Sequence, residues 1–358
     1  MSKLPEKMKA VVAHNPEDYR VEEVDRPKAG YEEVIIKVEA CGICGSDVKA
    51  YYGSDMYWGG EDPWMKTPVI PGHEFFGTVV ELGENAAEKH NVEIGDRITT
   101  DQINPCGECR FCKRGEYWMC EVHNIYGFQK DVAEGAWAEY MRISKTSEIY
   151  KIPDEVTFEE ASLIEPMACA VHTIQRADIG FEDVVVLAGA GTLGLSMTQL
   201  AKMKTPKKLI VLDINNKRLE LAKKHGADMT INPAEEDAIQ IVKDLTDGYG
   251  CDIYIEATGS PKGVTQGLEM IRKLGTFVEF SVFGEETTTD WSVIGDRKEL
   301  DIRGSHLGPY TYPIAIDLLE RGLLSAEGYI SDVYSIEEFE EAFERAQDKD
   351  TIKVLLKS

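Results

Sequence analysis

The chain has 358 residues, of which 43% are hydrophobic and 29% are charged. These values are typical of a globular protein, and the length fits two domains of about 150 residues each. The formal net charge of −25 argues against a nucleic acid or an anionic membrane surface as partner. The sequence contains neither a run of about 18 apolar residues nor the apolar core of a signal peptide. A cytoplasmic protein is therefore expected.

The first part of the chain is predicted to be mainly β. Short runs rich in β-branched residues, each bounded by Pro, Gly or Asn, are typical of strands. The predicted strands cover residues 8–13, 19–24, 33–40, 77–82 and 96–100.

After Pro166 the pattern changes to alternating strands and helices, which is typical of a parallel doubly wound sheet. A last strand, predicted over 352–357, returns to the first domain. We therefore predict an α/β protein, with a β-rich domain at 1–166 and 304–358 around an α/β domain at 167–303. The predicted strands of the second domain cover 183–189, 208–213, 251–257 and 276–281, and the predicted helices cover 194–204 and 217–225.

A glycine-rich turn follows the first predicted strand of the α/β domain. In Gly189-Ala-Gly191-Thr192-Leu193-Gly194 the glycines permit a tight turn, close approach of a pyrophosphate, and close packing of helix on strand. Asp213 follows 19 residues after Gly194, where a carboxylate binds the adenosine ribose and disfavours a 2′-phosphate. The pattern predicts NAD rather than NADP, although Arg218 is near enough in sequence to accommodate a 2′-phosphate.

Four cysteines form the most distinctive cluster. Cys106, Cys109, Cys112 and Cys120 follow a C-x2-C-x2-C-x7-C spacing. Four thiolates with no open position indicate a structural, tetrahedral zinc site. An iron–sulfur cluster is the alternative, but the last gap is long for the bacterial ferredoxin pattern, and no Pro follows the fourth cysteine.

Two further motifs lie in the β-rich region: Cys41-Gly-Ile-Cys44-Gly-Ser46-Asp47 and Pro71-Gly-His73-Glu74. With the four cysteines and the glycine-rich turn, they make the chain similar to the zinc-containing medium-chain alcohol and polyol dehydrogenases over essentially its full length. The resemblance implies a GroES-like β-rich catalytic domain and a Rossmann domain that binds NAD. It also implies two zinc ions, one catalytic and one structural.

The resemblance assigns the catalytic zinc to Cys44, His73 and Glu165, the last in Ile164-Glu165-Pro166. Glu74 either ligates the zinc or lies beside its ligands, and Cys169 is a substitute ligand four residues after Glu165. Zinc lowers the pKa of a bound hydroxyl, and the resulting alkoxide gives a hydride to the nicotinamide.

Two polar residues after Cys44 are implied in proton transfer. Ser46 matches the relay hydroxyl of the family. Lys49 stands where the family often has His, so it either completes the relay, contacts the cofactor pyrophosphate, or is a solvated loop lysine.

Further matches indicate the polyol branch, and most of all its erythritol/L-threitol dehydrogenases. They imply a cofactor contact at Val282-Phe-Gly284, oxidation of a tetritol to a ketose, and a homodimer or homotetramer joined through a sheet edge at 276–282 or 287–291. Threonine 3-dehydrogenase and sorbitol or 2,3-butanediol dehydrogenase stay open as alternatives, as does a non-catalytic nicotinamide-cofactor sensor. The matches are an aromatic insertion at 51–64, Val69-Ile-Pro-Gly-His-Glu-Phe, Cys112-Lys-Arg-Gly, Asp244-Leu-Thr-Asp-Gly-Tyr-Gly and His306-Leu-Gly-Pro-Tyr310.

Overall fold

The computed structural model describes residues 4–358. The chain divides into two compact units. Unit 1 comprises the described residues up to Glu165 together with Tyr312–Ser358, and unit 2 is Pro166–Thr311. The sequence predicted the two boundaries between these domains at 166/167 and 303/304.

The described residues form seventeen strands and twelve α-helices. Each helix in this part of the chain is too short or too polar to span a bilayer. The strands are β1 (Lys7–Asn15), β2 (Asp18–Asp25), β3 (Val34–Gly42), β4 (Glu74–Leu82), β5 (Arg97–Thr100), β6 (Ile103–Asn104), β7 (Asn124–Ile125), β8 (Tyr140–Ile143), β9 (Ile149–Lys151), β10 (Val184–Ala188), β11 (Lys208–Leu212), β12 (Met229–Ile231), β13 (Cys251–Glu256), β14 (Ile271–Glu279), β15 (Asp301–Gly304), β16 (Ile330–Ser335) and β17 (Lys353–Lys357). The helices are α1 (Gly45–Tyr51), α2 (Asp55–Trp58), α3 (Ala86–His90), α4 (Arg110–Lys113), α5 (Phe158–Ala161), α6 (Ile164–Ala177), α7 (Thr192–Met203), α8 (Asn216–Lys224), α9 (Ala238–Leu245), α10 (Pro261–Met270), α11 (Tyr312–Glu320) and α12 (Phe339–Ala346).

Unit 1 is built on a seven-stranded sheet in the order β16-β17-β3-β4-β5-β9, with β8 paired to β3. β17 runs antiparallel to β3, with Leu356 opposite Cys41. The C-terminal strand thus belongs to the same sheet as the N-terminal strands. The pairs β1-β2 and β6-β7 complete the strand pairs of this unit.

The pairing of β3 with β4 determines where the motif residues lie. Gly42 at the end of β3 is opposite Glu74 at the start of β4. Cys44 follows β3 directly, and His73 directly precedes β4. Because antiparallel partners are a few ångströms apart, this pairing brings together two motifs that are 29 residues apart in sequence, measured from Cys44 to His73.

Unit 2 contains a six-stranded parallel sheet in the order β12-β11-β10-β13-β14-β15. Numbered within the unit, this is the order 3-2-1-4-5-6 of the Rossmann fold. The central strand β10 is buried along its whole length, as a strand covered on both faces must be. The predicted fold class is confirmed.

The predicted edge strand is wrong. Residues 276–282 contain the last four residues of β14, which lies between β13 and β15, and residues 287–291 lie outside any strand. The two edges of the sheet are β12 and β15, and β15 (Asp301–Gly304), the edge beside β14, is only four residues long and largely exposed. Such a strand has no apolar run, so its sequence carries little signal.

Candidate active site

Three potential metal ligands from the β3–β4 junction form one cluster in unit 1. The ligand atoms of Cys44, His73 and Glu74 lie within 4.8 Å of one another. His73 and Glu74 are buried, and Cys44 is partly exposed. One thiol, one imidazole and one carboxylate around a partly open position are the donor set of a catalytic zinc site.

Asp47 orients the imidazole of His73. The Asp47 Oδ1 atom lies 3.4 Å from His73 Nδ1. Both atoms are buried and lack a hydrogen-bond partner, so their contact is that of an ion pair. The second carboxylate oxygen accepts a 2.8 Å hydrogen bond from the backbone N–H of Cys44. A carboxylate on Nδ1 fixes the tautomer that leaves Nε2 for a metal, so the orphaned pair fits a zinc ion on the other side of the ring.

Burial acts against protonation of His73, but Asp47 and Cys44 outweigh it and raise the histidine pKa well above its usual value. The site thus attracts a cation at this position. A proton and a metal ion compete for the same nitrogen, Nε2.

Glu74 forms a buried ion pair with Lys353 of β17. The Lys353 Nζ atom lies 2.5 Å from Glu74 Oε2, and the two side chains are 4% and 3% exposed. Burial alone would lower the pKa of Lys353, but the charges of Glu74, Cys44 and Glu165 raise it, so the lysine stays an ammonium ion. Its charge offsets part of the negative charge around the cluster.

Glu165 lies outside the group of mutually close ligand atoms, yet it is near enough to influence Lys353. Its Oε1 accepts a 2.5 Å hydrogen bond from Gln102 Nε2. The structure therefore brings Cys44, His73 and Glu74 together, and it places Glu165 beside this group rather than in it. Cys169 is buried within unit 2.

Ser46 is close to the imidazole. Its Oγ lies 3.4 Å from His73 Nε2, and its side chain also hydrogen-bonds Tyr57, whose pKa burial raises far above the usual value. Lys49 lies three residues on in the same helix, and burial lowers its pKa. A hydroxyl with a lysine of lowered pKa nearby suits proton transfer.

Aromatic rings surround this end of the cluster. Phe128 stacks on Tyr57 with centroids 5.5 Å apart, and it also contacts Trp64 at 5.2 Å and His73 at 5.6 Å. Two of these rings come from the insertion at 51–64. They form an apolar wall beside the polar groups.

The four cysteines form the second cluster, and their sulfurs also lie within 4.8 Å of one another. The Cys109–Cys112 and Cys106–Cys112 sulfur distances are 3.5 and 4.0 Å. A tetrahedral zinc with Zn–S bonds of about 2.3 Å needs sulfurs about 3.8 Å apart. Backbone N–H donors, first that of Cys112, lower the pKa of Cys109 to about 6. The lobe fits a zinc ion that is held as a closed structural site.

In unit 2 the glycine-rich turn has the form that the sequence predicts. Gly189 has a φ of 103°, and a Cβ there would lie 2.6 Å from the carbonyl oxygen of Ala257. A Cβ on Gly194 would lie 2.0 Å from the carbonyl oxygen of Gly189. Only glycine fits these two positions. Gly191 caps the N-terminus of α7, which begins at Thr192 and Leu193 and favours an anion.

Asp213 and Arg218 both lie at this turn. Asp213 Oδ2 accepts a 2.7 Å hydrogen bond from the N–H of Ala190, and its Oδ1 accepts one from Asn215. The Arg218 guanidinium lies 3.9 Å from the position of a Cβ on Gly191. An acid and a base thus flank the place where an adenosine ribose binds in this fold.

Val282 and Gly284 follow the carboxyl end of β14. The carbonyl oxygen of Val282 lies 3.0 Å from the position of a Cβ on Gly259, which is in the loop after β13. Gly284 has open space around it. The carboxyl ends of the strands are where nucleotides bind on such sheets.

Comparison with known proteins gives the family. Residues 30–154 match the family model of the alcohol dehydrogenase GroES-like domain, and residues 192–321 match that of the zinc-binding dehydrogenases. The erythritol/L-threitol dehydrogenase of Mycolicibacterium smegmatis is 48% identical over 99% of each chain. The chain belongs to the zinc-binding medium-chain alcohol and polyol dehydrogenases. It is an oxidoreductase that acts on CH–OH groups.

Solved structures of such dehydrogenases agree. A zinc-binding dehydrogenase of Sinorhizobium meliloti bound to NADP has a TM-score of 0.88 at 29% identity, with 98% of this chain and 99% of that chain covered. A short chain alcohol dehydrogenase of Escherichia coli CFT073 complexed with NADH has a TM-score of 0.86 at 28% identity, covering 99% and 100%. This dehydrogenase thus has neighbours with either nicotinamide cofactor.

Four residues around the cluster of this zinc-binding dehydrogenase were missed by sequence reasoning. Asp47 stands inside a recognised motif, where its spacing of three residues from Cys44 is a usable signal. Lys353 is the first residue of strand β17, and a second lysine ends the same strand, so the sequence does not mark Lys353 as buried. Gln102 and Tyr312 carry no signal, because only the fold brings Gln102 to Glu165 and Tyr312 to Gln102.

Proposed function

We propose that this dehydrogenase oxidises a secondary hydroxyl of a short polyol, a tetritol such as erythritol or threitol, to a ketose, with NAD as the hydride acceptor. The observation that carries the proposal is the cluster of Cys44, His73 and Glu74 with the hydroxyl of Ser46 beside it. The tetritol is supported by the 48% identity to the erythritol/L-threitol dehydrogenase over the whole chain.

Cys44, His73 and Glu165 would hold a catalytic zinc ion, and Glu74, which is in the same cluster but paired with Lys353, would ligate it or lie beside its ligands. Cys106, Cys109, Cys112 and Cys120 would hold a structural zinc ion. When bound, catalytic zinc lowers the pKa of the substrate hydroxyl, and NAD accepts the hydride. All other steps fall to side chains. Asp47 holds His73 in the tautomer that leaves Nε2 for the metal.

Ser46 is the proposed first acceptor of the substrate proton, because its hydroxyl lies against His73. Lys49 is the proposed next group, since burial lowers its pKa and makes its neutral form more accessible. The wall of Tyr57, Trp64 and Phe128 excludes water from this side and limits the length of the polyol.

NAD is proposed over NADP because of Asp213, whose carboxylate is fixed at the turn by two backbone N–H groups. A fixed negative charge repels a 2′-phosphate. Arg218 beside Gly191 acts in the opposite direction, so the preference is expected to be finite.

Two further expectations accompany this function. All eight cysteines are free of disulfides, which supports a reducing compartment such as the cytoplasm. The homodimer or homotetramer stays a prediction, and β15 replaces β14 as the sheet edge through which it would form.

The test is a panel of initial rates with erythritol, D- and L-threitol, sorbitol, 2,3-butanediol and L-threonine, with NADH or NADPH formation as the signal. A tetritol with NAD is expected to give the highest kcat/KM. The same panel is run with Ser46→Ala and with His73→Ala, and each variant is expected to show a kcat reduced at least about 100-fold. Preference for threonine or sorbitol would remove the tetritol. Unchanged turnover in His73→Ala would contradict the zinc mechanism.

A further inference from the structure

Gln102 joins two buried side chains of unit 1 that are far apart in sequence. Its Nε2 donates a 2.5 Å hydrogen bond to Glu165 Oε1. Its Oε1 accepts a 2.8 Å hydrogen bond from the hydroxyl of Tyr312. The three side chains are 3%, 6% and 0% exposed, in the order Gln102, Glu165, Tyr312. Water therefore has little access to these hydrogen bonds.

The carboxylate of Glu165 selects the orientation of the Gln102 amide, and the hydroxyl of Tyr312 supports that orientation. A carboxylate only accepts hydrogen bonds, so an amide turned by 180° would place its oxygen against Glu165. The tyrosine proton donated to Oε1 stabilises the orientation in which Nε2 faces the carboxylate. Tyr312 is itself stacked on Tyr150, with centroids 5.0 Å apart and planes at 10°.

The backbone of Gln102 is also held by a hydrogen bond. Its carbonyl accepts a hydrogen bond from the N–H of Tyr126. The preceding residue, Asp101, accepts a 2.7 Å hydrogen bond from the hydroxyl of Tyr117, which lies between the third and fourth cysteines of the zinc lobe. Gln102 thus presents its amide to Glu165 from a fixed position.

The two carboxylates near the cluster have different hydrogen-bond partners. Glu74 is paired with the ammonium group of Lys353, which offsets its charge. Glu165 receives a hydrogen bond from the neutral amide of Gln102, which directs the carboxylate, and its charge also acts on Lys353. Hydrogen bonds to a ligating carboxylate orient it toward the metal.

We propose that Gln102 and Tyr312 are positioning residues that hold the Glu165 carboxylate as a ligand of the catalytic zinc. The inference rests on the proposed function, because it requires a zinc ion at Cys44 and His73. Gln102 acts on Glu165 directly, and Tyr312 acts through the amide of Gln102. Neither side chain needs to touch the substrate.

The experiment measures zinc release to a chromogenic chelator from the zinc-loaded full-length enzyme. Wild type, Gln102→Leu, Tyr312→Phe and the double variant are compared. The control is Tyr126→Phe, which also removes a buried tyrosine hydroxyl in unit 1, one that bonds Ser147 and Ser144 instead. NADH binding, followed by fluorescence, checks that unit 2 is folded.

Release is expected in two phases of about one zinc per chain each. Loss of a residue that orients a metal ligand typically weakens binding by about 10- to 100-fold. The phase that releases the catalytic zinc should therefore be faster by about that factor in Gln102→Leu, and by a smaller factor in Tyr312→Phe. The double variant should match Gln102→Leu, because the hydroxyl acts only through the amide. Zinc release from the four-cysteine lobe should have the wild-type rate in every variant. In the Tyr126→Phe control both phases should have the wild-type rate.

The experiment distinguishes failure of the positioning role from failure of the proposed function. If wild type releases two zinc ions and the Gln102 and Tyr312 variants release them at its rates, the positioning role is overturned and the proposed function stands. Equal acceleration in Tyr126→Phe, or additive effects in the double variant, would also overturn it, because a general loss of stability would then explain the result. If wild type holds zinc only in the four-cysteine lobe, the proposed function fails, and this inference fails with it.

Discussion

Asp101 is predicted to make unit 1 less stable as the pH rises. The carboxyl is fully buried, and burial raises its pKa from 3.8 to about 7 although Tyr117 and Ile103 donate hydrogen bonds to it. The negative charge of Glu148 adds to the increase. Replacement by Asn keeps an acceptor for Ile103 and removes the ionisation.

The sign follows from proton binding. Below pH 3.8 the carboxyl is protonated in both the folded and the unfolded state, so it has no effect. Between pH 3.8 and about 7 the folded state keeps a proton that the unfolded state loses, and stability falls. Above about pH 7 the full cost is present. Since one pKa unit corresponds to about 1.36 kcal/mol, the upper bound is about 4 kcal/mol, and relaxation around the charge reduces it to about 2–4 kcal/mol.

The assay compares thermal unfolding of wild type and Asp101→Asn between pH 4.5 and 8. For a unit of this size about 1 kcal/mol shifts Tm by about 2–4 °C. About 1 kcal/mol of the cost is already present at pH 4.5, so the Tm advantage of Asp101→Asn should grow by at least about 2 °C from the lowest to the highest pH. The control Asp154→Asn removes an exposed carboxylate and should show a constant difference. A Tm difference between wild type and Asp101→Asn that is independent of pH would refute the reasoning.

Two other predictions concern charges at the two sites. Lys353→Met leaves Glu74 buried without its cation, so the free energy of unfolding of the metal-free enzyme should fall by about 3–5 kcal/mol. Adding Glu74→Gln to the same chain should restore most of this loss. A loss below about 1 kcal/mol, measured by chemical denaturation, would count against a stabilising role of the pair. Asp213→Asn keeps the acceptor for Ala190 and removes the charge, so the ratio of kcat/KM for NADP to that for NAD should rise about tenfold, or about 1.4 kcal/mol. An unchanged ratio would show that Asp213 does not select the cofactor.

The sequence by itself determined those features whose residues lie close together in the chain. Gly189, Gly191 and Gly194 follow a buried strand and precede a helix, and their spacing alone predicts the nucleotide-binding turn. The four cysteines lie within 15 residues, so local chain geometry is enough to bring their sulfurs together. Such signals survive because the residues that act together are neighbours in the chain.

The edge of the sheet in unit 2 was predicted wrongly for the opposite reason. β14 has a clear apolar pattern, while β15 is four residues long and exposed on most of its surface. Strand order depends on which strands pair, and pairing is not encoded in either segment by itself. Only the tertiary structure placed β15 outside β14.

Around the active site, only the tertiary structure decided how the ligands are oriented. Lys353 reaches Glu74 across 279 residues, and Tyr312 reaches Gln102 across 210. Sequence supplied the donor types at Cys44 and His73, because a metal demands those chemistries. A hydrogen-bond partner needs only a polar atom at the right distance, and many residue types meet that demand. Local sequence motifs therefore identified the metal-binding residue types. Only the fold determined which charged or polar side chain contacts each ligand, and from which direction.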